Sequence, residues 1–135
     1  MASAVSAIRQ RVFLVDDDPT LLEVLTTALN LEELDVVPAS DGETALRIAA
    51  DGAVDVVVCD VGMPDPDGLE VCRRLKTDPR TEDLPVILLT GRDTDEDRSR
   101  GLAAGCDAYV TKPFSPLELL ELIRRERHAG PGGGV

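Results

Sequence analysis

Short valine-rich apolar runs at residues 12–15, 54–59 and 86–89 constrain this chain more than any other feature. They lack the polar alternation of a half-exposed strand, and a strand without alternation must be covered on both faces. Two weaker runs, residues 35–39 and 108–111, complete a set of five. Between them lie stretches with helical spacing and marked starts. Asp18 stands as an N-cap with Pro19 at the first helical position, ahead of a stripe of Leu21, Leu22, Leu25 and Leu29. Ser40 with Glu43, and Ser115 with Glu118, fit the S-x-x-E capping box, and Pro116 follows the second. Asp67 opens a helix carrying Leu69, Cys72 and Leu75. Asp93 or Thr94 opens another, whose acidic first turn, Asp95 to Asp97, suits the positive end of a helix dipole and which Gly105 closes.

Strand and helix alternate five times, which predicts a single doubly wound α/β domain: a five-stranded parallel sheet, five helices on its two faces and right-handed crossovers. Pro38 cannot donate a ladder hydrogen bond, so the second strand belongs at an edge, and strand order 2-1-3-4-5 satisfies this. The length of 135 residues suits one such domain, expected over residues 10–127, with 1–9 and 128–135 as flexible termini. The closing AGPGGGV has linker composition and leaves two expectations open, a stand-alone domain or one cut from a longer protein.

Charge narrows the partners. Fourteen Lys and Arg against 26 Asp and Glu give a net charge of −12, a field that repels nucleic acid and anionic membrane surfaces. The apolar runs are too short to span a bilayer, and the N-terminus lacks the pattern of a secretory signal. Three cysteines without CxxC spacing argue against a disulfide framework or structural zinc and fit a cytoplasmic setting.

In the 2-1-3-4-5 order, chemistry belongs at the carboxyl ends of the strands. There the first strand delivers Asp16-Asp17-Asp18, the third Asp60, the fourth Thr90, and the fifth runs into Lys112. Singly these are ordinary: Asp18 reads first as a helix cap, Tyr109 as a half-buried strand residue, Cys59 as core. Jointly they are not, because neighbouring strands lie about 4.8 Å apart and Asp16, Asp17 and Asp60 must crowd, which calls for a cation. An all-oxygen set suits magnesium, with manganese as the second choice. A divalent ion, a hydroxyl and a lysine can each neutralise one phosphoryl oxygen while a carboxylate attacks to give an aspartyl phosphate. Asp60 is the best nucleophile, since its strand is central and Gly62-Met63-Pro64 makes an open loop above it.

Four segments, VFLVDDDP, VVVCDVGMPDPDG, VILLTG and AYVTKPF, stand in order. Together they resemble the receiver domain of bacterial two-component response regulators, of the chemotaxis-regulator kind, over about residues 10 to 127. The resemblance implies a flavodoxin-like fold and Asp60 as phosphoacceptor. It implies magnesium held directly by Asp17 and Asp60, through water by Asp16, and by the backbone carbonyl of Gly62. Thr90 and Lys112 resemble the phosphate-contacting pair, and Tyr109 the aromatic that turns inward when Thr90 is drawn to the phosphoryl group. Such a domain is a signalling module, not an enzyme, though it promotes its own phosphorylation and dephosphorylation. Its donor would be a sensor histidine kinase or a phosphotransfer protein, because the one histidine, His128, adjoins the tail. Its output would pass to a downstream protein or effector domain, or to a phosphorylation-dependent homodimer, through the fourth helix, last strand and last helix. Gly62 and Arg92 depart from the common pattern at the positions that tune phosphate lifetime, so slow self-dephosphorylation sensitive to Arg92 is expected. Pro66 stiffens a loop where relatives often carry another apolar residue.

A rival reading takes Asp16-x-Asp18-x-Thr20 as the DxDxT motif of haloacid-dehalogenase-like phosphatases, with Asp16 as nucleophile and Asp18 as acid/base. Those enzymes resemble one another in carrying further metal-binding acids after the lysine. No Asp follows Lys112 here, and the cap before Pro19 already accounts for Asp18. A degenerate receiver acting only as a scaffold is weakened because every chemical position is filled.

Overall fold

The computed structural model describes residues 10–52, 54–91 and 94–128. The Arg92 position, the alternative cap Asp93 and the termini 1–9 and 129–135 lie outside the described residues. In chain order the elements are β1 (Arg11–Val15), α1 (Pro19–Asn30), β2 (Asp35–Ala39), α2 (Gly42–Ala50), β3 (Val56–Asp60), α3 (Gly68–Thr77), β4 (Val86–Thr90), α4 (Asp95–Ala103), β5 (Ala108–Thr111) and α5 (Pro116–His128). The sheet order is β2-β1-β3-β4-β5 and every pairing is parallel. This is the expected doubly wound, flavodoxin-like architecture. Pro38 sits opposite Leu14 on the edge strand, where its missing N–H breaks no second ladder.

The unbroken apolar runs have the cause inferred for them. Phe13, Val15, Val57, Cys59, Val86 and Leu88 face one side of the sheet, against Ala45 and Ala49 of α2 and Val71, Cys72 and Leu75 of α3. Val12, Leu14, Val56, Val58, Ile87 and Leu89 face the other, against Leu25 and Leu29 of α1 and Leu119, Leu120 and Ile123 of α5. Each large aliphatic side chain so enclosed contributes about 1.5–3 kcal/mol of burial free energy. The fourth helix differs, since Gly101 is its one buried residue.

Four of the expected caps form. The Asp18 carboxylate accepts from the N–H groups of Thr20 at 3.0 Å and Leu21 at 3.4 Å, and that of Asp67 from Glu70 at 2.9 Å. The Thr94 hydroxyl accepts from Asp97 N–H at 3.1 Å, and the Ser115 hydroxyl from Glu118 N–H at 3.1 Å. The Ser40 capping box does not form as expected. Asp41 caps α2 instead, accepting from Thr44 N–H at 2.7 Å and from its hydroxyl at 3.1 Å. The start is fixed by packing: a Cβ on Gly42 would stand 2.8 Å from Pro66 and from Val71, so only a glycine lets the first turn of α2 seat there. β3 and β4 also run one residue beyond their apolar stretches, taking in Asp60 and Thr90.

Opposite the rim of strand ends, one carboxylate joins three elements. Asp107 Oδ2 accepts from Val86 N–H at 2.7 Å and from Lys76 Nζ at 2.7 Å, and Lys76 also donates to Leu84 O at 2.8 Å. Replacing Asp107 with Ala strands the N–H of a fully buried strand residue. We expect a loss of about 2 kcal/mol, or roughly 7 °C in thermal midpoint, measured by calorimetry. An unchanged midpoint would show that this link carries no stability.

Candidate functional site

Because β1 and β3 are neighbours, their carboxyl ends bring Asp16, Asp17 and Asp60 together, with one carboxylate oxygen of each within 4.8 Å of the others. Asp16 is 1% exposed and Asp60 6%, while Asp17 opens to solvent. Asp16 is held firmly. Its N–H donates to Ala39 O at 3.1 Å, and its Oδ1 accepts from Asp18 N–H at 2.9 Å. Asp18 belongs to the helix cap and not to the cluster.

Lys112 enters from the other side. Its backbone N–H donates to Thr90 O at 2.6 Å, continuing the ladder in which Thr90 faces Thr111. The side chain then reaches inward, with Nζ 3.1 Å from Asp60 Oδ1 and 3.4 Å from Asp16 Oδ2. Burial pushes the Asp16 carboxyl above the ordinary aspartate range, opposed by the Asp18 N–H and reinforced by the charge of Asp60. Burial lowers the Lys112 ammonium, but the hydrogen bonds and charges of Asp60 and Asp16 together outweigh it and leave Lys112 raised. The lysine therefore stays charged and serves as the cluster's internal counter-ion.

Above these groups opens a cleft of about 520 Å³, lined among others by Asp60, Gly62, Thr90, Gly91 and Lys112. A Cβ on Gly62 would lie 3.7 Å from Asp60 Oδ2, so a side chain at this position would overhang the carboxylate and glycine leaves it uncovered. Sequence reasoning missed Gly68. A Cβ there would stand 2.3 Å from Asp60 O, and Gly68 N–H donates to Val61 O at 3.2 Å, so the start of α3 rests directly on the strand end that carries Asp60. The available signal was the Asp67-Gly68 pair itself, a cap followed by a residue allowing close backbone approach. Asp97 of α4, read from sequence only as part of an acidic helix start, also lines the cleft, as does Arg100, which was not singled out from sequence.

The expected site residues Asp16, Asp17, Asp60, Thr90 and Lys112 converge on this rim, with Gly62 at its edge. Tyr109 does not line the cleft. Its half-buried ring lies under Arg98, whose guanidinium carbon is 5.3 Å from the ring centroid, and against Gly101, where a Cβ would come within 3.2 Å. Cys59 is wholly buried on the opposite side of its strand, its thiol pushed well up, chiefly by burial. The donor set at the rim is all carboxylate oxygen, two of the three side chains buried, which fits a small hard divalent cation such as magnesium and offers nothing to a thiophilic one.

A family model described as the response regulator receiver domain matches residues 12–124. The response regulator MprA of Mycobacterium sp. (strain KMS) is 45% identical over 114 residues, covering 84% of this chain and 49% of that protein. The chain thus spans about half the length of the curated relatives it matches. Among solved structures, the chemotaxis protein CheY4 of Vibrio cholerae superposes with a TM-score of 0.82 at 29% identity, covering 87% of this chain and 98% of that one. The receiver domain of the sensor histidine kinase PA1611 of Pseudomonas aeruginosa PAO1, solved with magnesium in its active-site cleft, gives 0.81 at 29% identity over 88% and 98%. The chain belongs to the response regulator receiver domain family.

Proposed function

We propose that Asp60 accepts a phosphoryl group from a histidine kinase or phosphotransfer protein and that the domain, comprising residues 10–127, relays the change to a partner. One observation carries this reading: a nearly buried carboxylate at the floor of an open cleft, with Lys112 Nζ 3.1 Å away and two more carboxylates within 4.8 Å. In the transfer an Asp60 oxygen forms a bond to phosphorus while the bond to the donor's leaving group breaks, that group departing with the electron pair. The Thr90 hydroxyl and the Lys112 ammonium each take a phosphoryl oxygen, and Lys112 Nζ already stands 3.1 Å from the Asp60 carboxylate that would carry it. Asp17, Asp60 and the Gly62 carbonyl, with Asp16 through water, would hold magnesium, which when bound supplies neutralisation of the phosphoryl charge.

The phosphatase alternative fares worse. It needs Asp18 free for proton transfer, and Asp18 is spent on two backbone N–H groups of α1. It also needs Asp16 to attack, and Asp16 is 1% exposed and anchored by Asp18 N–H.

The output would follow from α4. A helix with one buried residue is the least anchored layer of the fold, so movement of Thr90 toward a phosphoryl group and of Tyr109 behind it can shift α4 at low cost. The partner, an effector domain, another protein or a second copy, would read the surface of α4, β5 and α5. The net charge of −12 supports a protein partner over direct nucleic acid contact, and a cytoplasmic setting agrees with this role.

Incubation with a small phosphodonor and magnesium should add the mass of one phosphoryl group to the wild-type chain, recovered on the peptide containing Asp60, and none to Asp60→Asn. A phosphoryl group on the Asn variant would overturn the assignment. The crowding also has a pH signature. A raised Asp16 pKa contributes stability below the ordinary aspartate range, and that contribution is lost as pH rises through the raised value. Asp16→Asn should therefore raise the thermal midpoint of the metal-free protein at neutral pH. The gain should shrink as the pH falls below the aspartate range; a gain independent of pH would point to packing and not to charge.

A further inference from the structure

The cleft is also lined by a second cation, Arg100, to which the phosphoryl transfer assigns no part. Among the described residues lining the cleft, Lys112 and Arg100 bear the positive charge, and Asp60, Asp67 and Asp97 the negative. Lys112 is already engaged by Asp60 and Asp16. Arg100 meets Asp97 at 3.8 Å only, and its side chain is 62% exposed. Asp97 is itself committed to the Thr94 hydroxyl at 2.8 Å. Nearby Arg74 is tied to Glu70 at 2.8 Å, so Arg100 is the more available guanidinium. A second hollow of about 530 Å³ continues from the cleft past Asp67, Leu69 and Arg100, leaving room for a small group beyond the phosphoryl site.

We propose that Arg100 is a specificity-determining residue for small-molecule phosphodonors, favouring acyl phosphates by receiving the carboxylate that they release. The inference rests on Asp60 being the acceptor. In-line displacement puts the leaving group on the side of phosphorus away from Asp60, toward the mouth of the cleft that Arg100 lines. With an acyl phosphate, the bond between phosphorus and the acyl oxygen breaks and the Asp60–phosphorus bond forms. The acyl oxygen keeps the electron pair, so a carboxylate departs with no proton required. Negative charge thus grows on a planar two-oxygen group, the shape a guanidinium binds in bidentate fashion. With phosphoramidate the same displacement releases neutral ammonia, which offers Arg100 nothing to hold.

The test compares phosphorylation rates with acetyl phosphate and with phosphoramidate, both in magnesium, for the wild type, Arg100→Ala, Arg100→Lys and Asp97→Asn. Arg100→Ala should slow transfer from acetyl phosphate about fivefold, the size of a partly exposed ion pair, and leave transfer from phosphoramidate unchanged. Arg100→Lys should fall between, lacking the planar fork. Asp97→Asn, which removes the weak 3.8 Å pairing and a cleft carboxylate that repels the departing anion, should quicken transfer from acetyl phosphate. Binding of beryllofluoride should be the same in all four, showing that the site is intact. An equal loss with both donors, or none with acetyl phosphate, overturns the proposal. A wild type that takes phosphate from neither donor refutes the Asp60 reading, and this proposal falls with it.

Discussion

Three carboxylates repel one another at one rim of the sheet, and the surrounding packing holds them there. Like charges at such separation, two of them nearly buried, are unfavourable by several kcal/mol unless countered. Lys112 counters part of that charge by contacting Asp60 and Asp16 together, and the open cleft leaves the remainder for an incoming cation. The features that make the site costly to fold also prepare it for phosphoryl chemistry, since a phosphoryl group needs cations and hydrogen-bond donors already aimed at its oxygens. The sheet order is what enforces the crowding, because β1 and β3 are adjacent and in register and their polar ends cannot separate.

Around the rim, close backbone packing keeps the geometry fixed. Gly68 seats the start of α3 on the backbone of Asp60, and Gly42 seats the start of α2 on Pro66 in the same loop. Pro66 is buried, so the proline that looked like a stiffener is also a packing surface for α2. One side of the site is therefore rigid. The other side is α4, held by one buried glycine, with the Tyr109 ring packed against that glycine and beneath Arg98. A rigidly held carboxylate next to a loosely anchored helix is an arrangement through which a change of charge at Asp60 can become a change of surface.

Much of this was legible in the residues. The unbroken apolar runs gave the buried strands, Pro38 the edge, and Asp18, Asp67, Thr94 and Ser115 the helix starts, because each of these signals acts through local backbone chemistry. The convergence of Asp16, Asp17, Asp60, Thr90 and Lys112 followed from strand order alone. What escaped was decided by contacts between distant segments. Asp41 displaced Ser40 as cap because Gly42 had to meet Pro66, and β3 and β4 extended into the site because their ladders continue past the apolar stretch. Arg100 reached the cleft only through the position of α4, which has almost no apolar periodicity to announce it. The engagement of Lys112 by Asp60 and Asp16 could not be read from a Lys-Pro pair either.

Lys112 occupies, electrostatically, part of the place that a divalent cation would take at the rim. Calorimetric titration of magnesium into the wild type and into Lys112→Met tests this. Removing the ammonium leaves the carboxylates with their full mutual repulsion and no internal counter-ion, so the variant should bind magnesium more tightly by about threefold to tenfold. Equal or weaker binding by Lys112→Met would mean that the lysine does not balance the charge to which the metal is drawn.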